Sequence, residues 1–496
     1  TFLPNFRNGD VVVLYERNNG MDNVTNKMVF KGNIESITDN ELRIRLRAAQ
    51  QNPLVFPENS RYAVEHDTMD TTFRSMYLGL SSFMDANPER RELLLGQRPP
   101  RFDMAYEDRI ARTTDDFERV ALKAEAACDY FLLVGPPGTG KTSRALRRMV
   151  EHFYACPSTQ VLLLAYTNRA VDEICRSLSA ILPQVDYIRV GSELSCDARF
   201  RKHLLENVLA ECNNRREVNI RMADCRIYVG TVASIASKPE LFKLKHFDVA
   251  IVDEATQILE PQLLGILCAR FKDGRNGIGK FILIGDHKQL PAVVLQSNEQ
   301  SEVHDEGLRR IGLYNLKDSL FERLYRNAIR QQAVDGRQTS AFNSRFSAFN
   351  SLDMLCRQGR MNVEVAAFPN RAFYGGLLQP VGLEHQTGVL KLSPQLSADE
   401  FAALLTRRVA FLPSVPEPPM QSAKMNRSEA KIVAGLAAAV YRFENKRKTH
   451  GSAYRISQIS STHNQRFLVI YIGGNTPERH KQAVKIAAAC SRSPCK

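Results

Sequence analysis

Residues 131–143 read FLLVGPPGTGKTS, and this stretch decides the fold. Phe131 to Val134 are apolar, as a buried strand requires. Gly135, Pro136, Pro137, Gly138, Thr139 and Gly140 must turn sharply, and Lys141, Thr142 and Ser143 open a helix. Glycine, four residues, glycine, lysine, threonine is the spacing of a phosphate-binding loop. The residue types explain why. A triphosphate needs many donors at close range, and glycines let backbone N–H groups approach at positive φ. The next helix aims its N-terminus at the anion. Lys141 is expected to reach the outer phosphates, and the Thr142 hydroxyl to ligate Mg2+. The bland alternative, a glycine-rich turn before an ordinary helix, is set aside because strand, loop and helix stand in the right order.

Around this stretch, residues 113–325 alternate strand and helix. Apolar runs at 131–134, 161–165, 187–190, 226–229, 249–252 and 281–284 are the expected strands. Such alternation predicts a parallel sheet covered on both faces, with ligands beyond the carboxyl ends of its strands. Residues 1–60 carry short alternating runs separated by turn signals, which predicts a small β-barrel, either structural or touching nucleic acid. Residues 61–112 place apolar residues at helical spacing and predict a helical stalk. Residues 326–496 predict a second, less regular α/β unit. Its strands are expected at 409–412 and 467–472, its helix at 427–443, and a polar loop at 333–352.

The 496 residues carry a formal charge of +13, which favours phosphate-rich partners such as nucleic acid. No apolar run approaches the ~18 residues of a membrane span; no charged-then-apolar signal peptide is read in the first residues given, and the start on Thr1 rather than Met implies that this is not the native start. The ten cysteines form no Cys-x-x-Cys pair and no usual zinc spacing. They imply reduced, mostly buried thiols and an intracellular protein, cytoplasmic or nuclear.

Two further stretches carry chemistry. Residues 247–257, FDVAIVDEATQ, bring Asp253 and Glu254 to the end of a buried strand. Asp253 is expected to hold Mg2+, commonly through water, and Glu254 to orient or deprotonate an attacking water. Residues 281–294, FILIGDHKQLPAVV, end another strand in Gly285-Asp286, followed by Gln289 and Pro291.

GPPGTGKTS, VDEATQ and GDHKQLP, in that order, resemble the motor of superfamily 1 helicases, in the branch that includes the nonsense-mediated-decay helicase. AYTNRAVDEIC (165–175), IRVG (188–191), YVGTVAS (228–234), LFERL (320–324) and QGRMNVEVAAFPN (358–370) agree, so the match spans roughly 120–465. The resemblance implies two tandem RecA-like domains, 113–325 and 326–496, an ATP and Mg2+ requirement, and movement 5′ to 3′ on single-stranded DNA or RNA by a monomeric motor. It implies that Gln289 senses the γ-phosphate and that Arg360 reaches the same phosphate from the second domain. Thr167, Asn168 and Thr231, with Gly230 beside it, would contact strand phosphates, although turn or capping use is the ordinary role of such residues.

Departures from the pattern are equally specific. Gly359 stands where an aromatic residue is common, and Asn362-Val363 replace His-Pro. No glutamine matches the family's adenine reader; Glu118 or Glu125 stands near that place. After ISQISSTHNQ (456–465) the last two motifs, with a second catalytic arginine, do not appear, which implies a segment missing between Gln465 and Arg466. Two alternatives remain. Ring-forming AAA ATPases share the loop, but expect an Asn or Thr sensor where this chain has GDHKQLP. A nucleotide-gated clamp or remodelling ATPase would grip nucleic acid without processive unwinding.

Overall fold

The computed structural model describes residues 6–387, except 7, 39, 49–51, 53–54, 58, 68–70, 295 and 335–349, and beyond them 409–413, 431–432, 434–435 and 469–473. The chain divides into two compact units, the first comprising residues 1–136 and 140–355, the second 137–139 and 356–496.

The first unit opens with strands β1 (Val11–Glu16), β2 (Val29–Ile37), β3 (Leu42–Leu46) and β4 (Tyr62–His66). They form a four-stranded antiparallel sheet in the order β3-β2-β1-β4. The expected barrel over residues 1–60 is therefore corrected to an open sheet. Its two ends, β3 and β4, are not paired with each other, and β4 lies beyond residue 60. The edge strand β3 exposes Arg43 and Arg45 at alternate positions, and charged side chains on an edge discourage further pairing.

Helix Thr71–Met84 follows and crosses helix Glu260–Leu267 at glycine. A Cβ on Gly79 would lie 1.9 Å from the Pro261 carbonyl oxygen. Backbone contact this close is open only to glycine, and it fastens the helical segment to the α/β sheet's own helix.

Strands β5 (Tyr130–Val134), β6 (Val161–Ala165), β7 (Tyr187–Val190), β8 (Ile227–Thr231), β9 (Phe247–Asp253), β10 (Ile278–Gly285) and β11 (Leu352–Met354) form one seven-stranded sheet. The order is β11-β5-β10-β9-β6-β8-β7 and every pairing is parallel. Burial explains the apolar runs. Phe131, Leu133, Leu163, Ile251 and Ile282 join one core cluster. The intervening Leu132, Leu162, Leu164, Val252 and Leu283 are equally buried and belong to the opposite face. β10 is held to the end of helix Asp116–Ala126 by Lys280, whose ammonium donates to the carbonyls of Ala124, Glu125 and Ala127 at 2.9, 2.7 and 2.8 Å.

β11 was not among the expected strands; the 333–352 loop was to end there. The central residue of β11 is Asp353, which interrupts any apolar pattern. Its carboxylate is fully buried and paired with Arg119 and Lys123, each at 3.1 Å. Residues up to Leu355 consequently belong to the first unit, and the boundary expected at 325/326 falls after Leu355.

In the second unit, β12 (Arg357–Gln358) pairs in parallel with β13 (Gln379–Pro380), and β14 (Val409–Pro413) with β15 (Val469–Gly473). β14 covers the strand expected at 409–412, and β15 covers residues 469–472 of the one expected at 467–472, whose first two residues lie outside the described residues. Residues 431–432 and 434–435 are helical, within the helix expected at 427–443. Most of the expected loop, and the junction at 465/466, lie outside the described residues. Among the described residues, no helix is long and apolar enough to cross a membrane, and five of the eight cysteines are buried.

Gly79→Ala is expected to lower the Tm, because overpacking against backbone costs about 1–3 kcal/mol. An unchanged melting curve would mean that this crossing carries no tight contact.

Candidate nucleotide and strand site

The sheet order sets the site. The carboxyl ends of β5, β10 and β9 are neighbours and deliver the phosphate loop, Asp286 to Gln289, and Asp253-Glu254 respectively. The Gly135 N–H donates to the Gly285 carbonyl at 2.8 Å, tying the first two ends together. A Cβ at Gly135 would lie 2.8 Å from the Lys141 Cβ, so the lysine stem folds back across the turn. Gly140 has φ +80°, the left-handed conformation that glycine adopts at no steric cost. The next helix starts with a π-turn, Lys141–Leu146, in which the Gly140 carbonyl accepts from both Arg144 and Ala145. Ser143 on this turn is exposed, while Lys141 and Thr142 are half-buried.

Thr142 Oγ1 donates to Asp253 Oδ2 at 2.5 Å. Asp253 is 1% exposed, and burial pushes its carboxyl above the usual range, opposed by the Thr142 hydroxyl and the Lys141 charge. Hydroxyl and carboxylate oxygens in contact make a hard donor pair of the kind Mg2+ takes. Glu254 follows in a left-handed conformation, φ 54°, alone among the described non-glycine residues. Its N–H donates to Asp253 Oδ1 at 2.9 Å. Backbone strain of this kind costs about 1–3 kcal/mol and concentrates at functional sites. Burial, then the neighbouring Asp253, raises the Glu254 carboxyl, opposed by Lys141 and Arg169.

At the end of β10, the buried Asp286 accepts the Lys288 N–H on Oδ1 at 3.0 Å and the Gln289 side-chain amide on Oδ2 at 2.7 Å. His287 turns its ring onto Tyr325, with centroids 4.3 Å apart, and burial lowers its pKa to about 4, so it is neutral.

The ends of β6 and β8, on the far side of β9, carry the threonines expected to touch a strand. Both cap helices. Thr167 Oγ1 accepts from Ala170 N–H at 3.1 Å, and Thr231 Oγ1 from Ser234 N–H at 3.0 Å. They differ in what remains. Thr167 is exposed, beside a half-buried Asn168, and among the described residues its hydroxyl proton is given to no acceptor. Thr231 is 7% exposed and donates that proton to Ser234 Oγ at 3.0 Å. Gly230 is buried, with the Val190 carbonyl 3.0 Å from where a Cβ would stand, so it serves packing. Glu118 and Glu125, near the expected base reader, are both engaged: His152 bridges them at 3.2 and 3.0 Å, and Arg148 holds Glu118 at 2.7 Å.

Within the second unit, Gln358 is 1% exposed and its side-chain oxygen accepts the N–H groups of Arg360 and Met361 at 3.0 and 2.7 Å. Gly359 N–H donates to the Gly138 carbonyl at 2.9 Å. Pro137 and Thr139 flank Gly138 in this unit. The turn presents an exposed Arg360 that has no ion pair among the described residues.

The profile of a family described as an AAA domain matches residues 113–226 and 213–297. The chain is similar to the "DNA replication ATP-dependent helicase/nuclease DNA2" of Gallus gallus, 27% identical over 339 residues, 65% of this chain and 30% of that protein. It is 33% identical to the same-named protein of Xenopus laevis over 264 residues, 51% and 20% of the two chains. It is also 27% identical over 331 residues to the "Putative ATP-dependent RNA helicase ECM32" of Saccharomyces cerevisiae, 59% and 25%. Over these stretches the chain resembles the superfamily 1 helicases. It spans 30% or less of the length of these three relatives.

The sequence named Lys141, Thr142, Asp253, Glu254 and Gln289, and the structure gathers them on three adjacent strand ends. It did not single out Asp286, although an acid three residues before Gln289 at a strand end was a usable signal. Nor did it single out the ion pair of the half-buried Asp172 with the buried Arg189, which joins helix Asn168–Leu178 to β7.

Glu254→Gln is expected to reduce kcat for ATP by about 10²-fold or more, the usual share of a general base. A base acts deprotonated, and burial raises this carboxyl, so the wild-type rate should fall as pH drops through a pKa above the ordinary carboxylate range. The variant should lack that acid limb. A loss below tenfold with the limb intact would remove Glu254 from this role.

Proposed function

We propose that this chain hydrolyses ATP and uses the reaction to move along single-stranded nucleic acid, 5′ to 3′, separating duplexes as an intracellular motor. The observation that carries the reading is the convergence of Lys141, the Thr142–Asp253 pair, Glu254 and Gln289 on the neighbouring ends of β5, β10 and β9. Residues 113–355 would be the first RecA-like motor domain and 356–496 the second, with the antiparallel sheet and the helical segment as accessory parts.

Thr142 and Asp253 would hold Mg2+, which when bound neutralises charge on the phosphates. Lys141 and the loop N–H groups bind the phosphates. Glu254, strained and raised by burial, takes the proton of the attacking water. Arg360, exposed on a turn built by Gln358 and free of any ion pair among the described residues, supplies a forked, permanently charged donor for the phosphate. Thr167, with Asn168 beside it, donates to the backbone of the strand, which positions it without reading its sequence.

The test is ATPase rate with and without single-stranded DNA or RNA, alongside strand displacement on tailed duplexes. Stimulation by one of the strands, with displacement, is expected. Lys141→Ala should abolish both, with kcat down about 10²-fold or more. Normal hydrolysis by that variant would refute the site, and stimulation without displacement would refute the unwinding step.

The two threonines should separate. Thr167→Ala is expected to weaken strand binding by about tenfold, the value of a hydrogen bond to a charged group. The slope of affinity against salt should stay unchanged, because no cation is lost. Thr231→Ala should chiefly lower stability by about 1 kcal/mol, the loss of a helix cap. Equal binding losses would show that the buried hydroxyl also reaches the strand.

A further inference from the structure

The exposed Arg360 stands on a turn whose backbone is held from beneath by uncharged side chains. Gln358, Asn362 and Gln386 are all buried, Gln386 completely. Gln386 is the most fully bonded of the three. Its Nε2 donates to the Gln358 carbonyl at 2.8 Å and to the Met361 carbonyl at 3.2 Å. Its Oε1 accepts the N–H groups of Gly382 and Leu383, each at 3.1 Å. A side-chain amide has two donors and an oxygen with two lone pairs. All are used, and inverting the amide would set donors against donors.

His385, the preceding residue, adds a further hold. Its Nε2 lies 3.0 Å from the Gly359 carbonyl. A carbonyl only accepts, so this nitrogen carries the proton. The His385 carbonyl in turn takes the Asn362 side-chain amide at 3.2 Å. Two consecutive residues of the short helix Glu384–Thr387 therefore bind the carbonyls of Gln358, Gly359 and Met361, which surround Arg360. On another side stands Gly138 of the phosphate loop, in the same compact unit as the turn. A Cβ there would lie 2.6 Å from the Arg360 Cβ.

We propose that Gln386, assisted by His385, is the positioning residue for Arg360, locking the turn at 358–361 so that the guanidinium meets the γ-phosphate as the transition state forms. The inference rests on the phosphate role given to Arg360 above. A buried amide is costly unless each of its groups is bonded, and this one spends all its bonds on backbone. In return the Arg360 main chain cannot drift while its side chain stays exposed. Such fixing matters because a misplacement of about 1 Å can cost about 10²-fold in rate.

A double-variant cycle tests this. Gln386→Ala frees the Gln358 and Met361 carbonyls, and kcat for ATP is expected to fall by about tenfold or more. KM should stay within about threefold, because the contact is made in the transition state. Arg360→Ala alone should lower kcat by about 10³-fold. Adding Gln386→Ala to Arg360→Ala should then cost less than about a further twofold, since the turn no longer carries a guanidinium, whereas a merely structural defect would multiply. His385→Ala, which frees only the Gly359 carbonyl, should lower kcat by about threefold or more with the same non-additivity. Melting curves show which variants fold, and His385→Ala decides if Gln386→Ala does not. Wild-type kcat in the folded variant, or losses that multiply in its combination with Arg360→Ala, overturns the proposal. If Arg360→Ala hydrolyses ATP at the wild-type rate, the role of Arg360 falls and the proposal with it. A slow Arg360→Ala beside a fully active Gln386→Ala removes only the positioning role.

Discussion

A carboxylate at the end of a fully buried strand must be compensated, and Asp253 shows how much follows from that. Burial raises its pKa, while the Thr142 hydroxyl and the Lys141 charge oppose the rise. These compensating groups both lie at the start of the helix after the phosphate loop. The loop conformation, the acidic strand end and the divalent-cation donor set are thus parts of one electrostatic arrangement. Moving any one of them would leave a buried charge alone, which costs several kcal/mol. Glu254 inherits the consequence. Its N–H is bonded to Asp253, its backbone is left-handed, and its carboxyl is raised partly by Asp253 itself.

The strand order distributes the remaining chemistry. Because β5, β10 and β9 are adjacent, phosphate-facing groups collect on one side of β9. Because β6 and β8 lie on its other side, the threonine-capped helices collect there. β9 is the shared border. A parallel sheet achieves this with no special residue at the junction, since all carboxyl ends point the same way. Ser177 on helix Asn168–Leu178 donates to the Thr142 carbonyl at 3.2 Å, so the helix capped by Thr167 also touches the phosphate-loop helix.

The central strands were legible because both of their faces are buried, which leaves continuous apolar runs. The phosphate loop and the acidic pair were legible because their chemistry demands particular residue types at fixed spacing. Other features leave no such trace. β11 is three residues long with an acid in the middle; it is a strand through its pairing with β5, and its acid is compensated by Arg119 and Lys123 from a distant helix. Alternation in residues 1–60 announces strands, but not whether the sheet closes. Thr167 and Thr231 stand in similar local sequences, yet Thr231 gives its hydroxyl proton to Ser234, while that of Thr167 has no acceptor among the described residues. The left-handed backbone of Glu254 is invisible in a sequence where only glycine advertises positive φ.

Three buried acids of the parallel sheet share a logic that goes beyond charge. Asp253 at the end of β9, Asp286 just after β10 and Asp353 in the middle of β11 are all buried. Each holds a donor from elsewhere: the Thr142 hydroxyl, the Gln289 amide, and the cations of Arg119 and Lys123. An acceptor-only group imposes direction on whatever approaches it. Neutral partners such as hydroxyl pairs could rotate and exchange roles, but a carboxylate leaves a donor one choice. In a site that must orient a water and a chain of phosphates, buried acids therefore convert the rigidity of the sheet into fixed hydrogen-bond polarity. That conversion explains why this edge of the sheet concentrates carboxylates in spite of their desolvation cost.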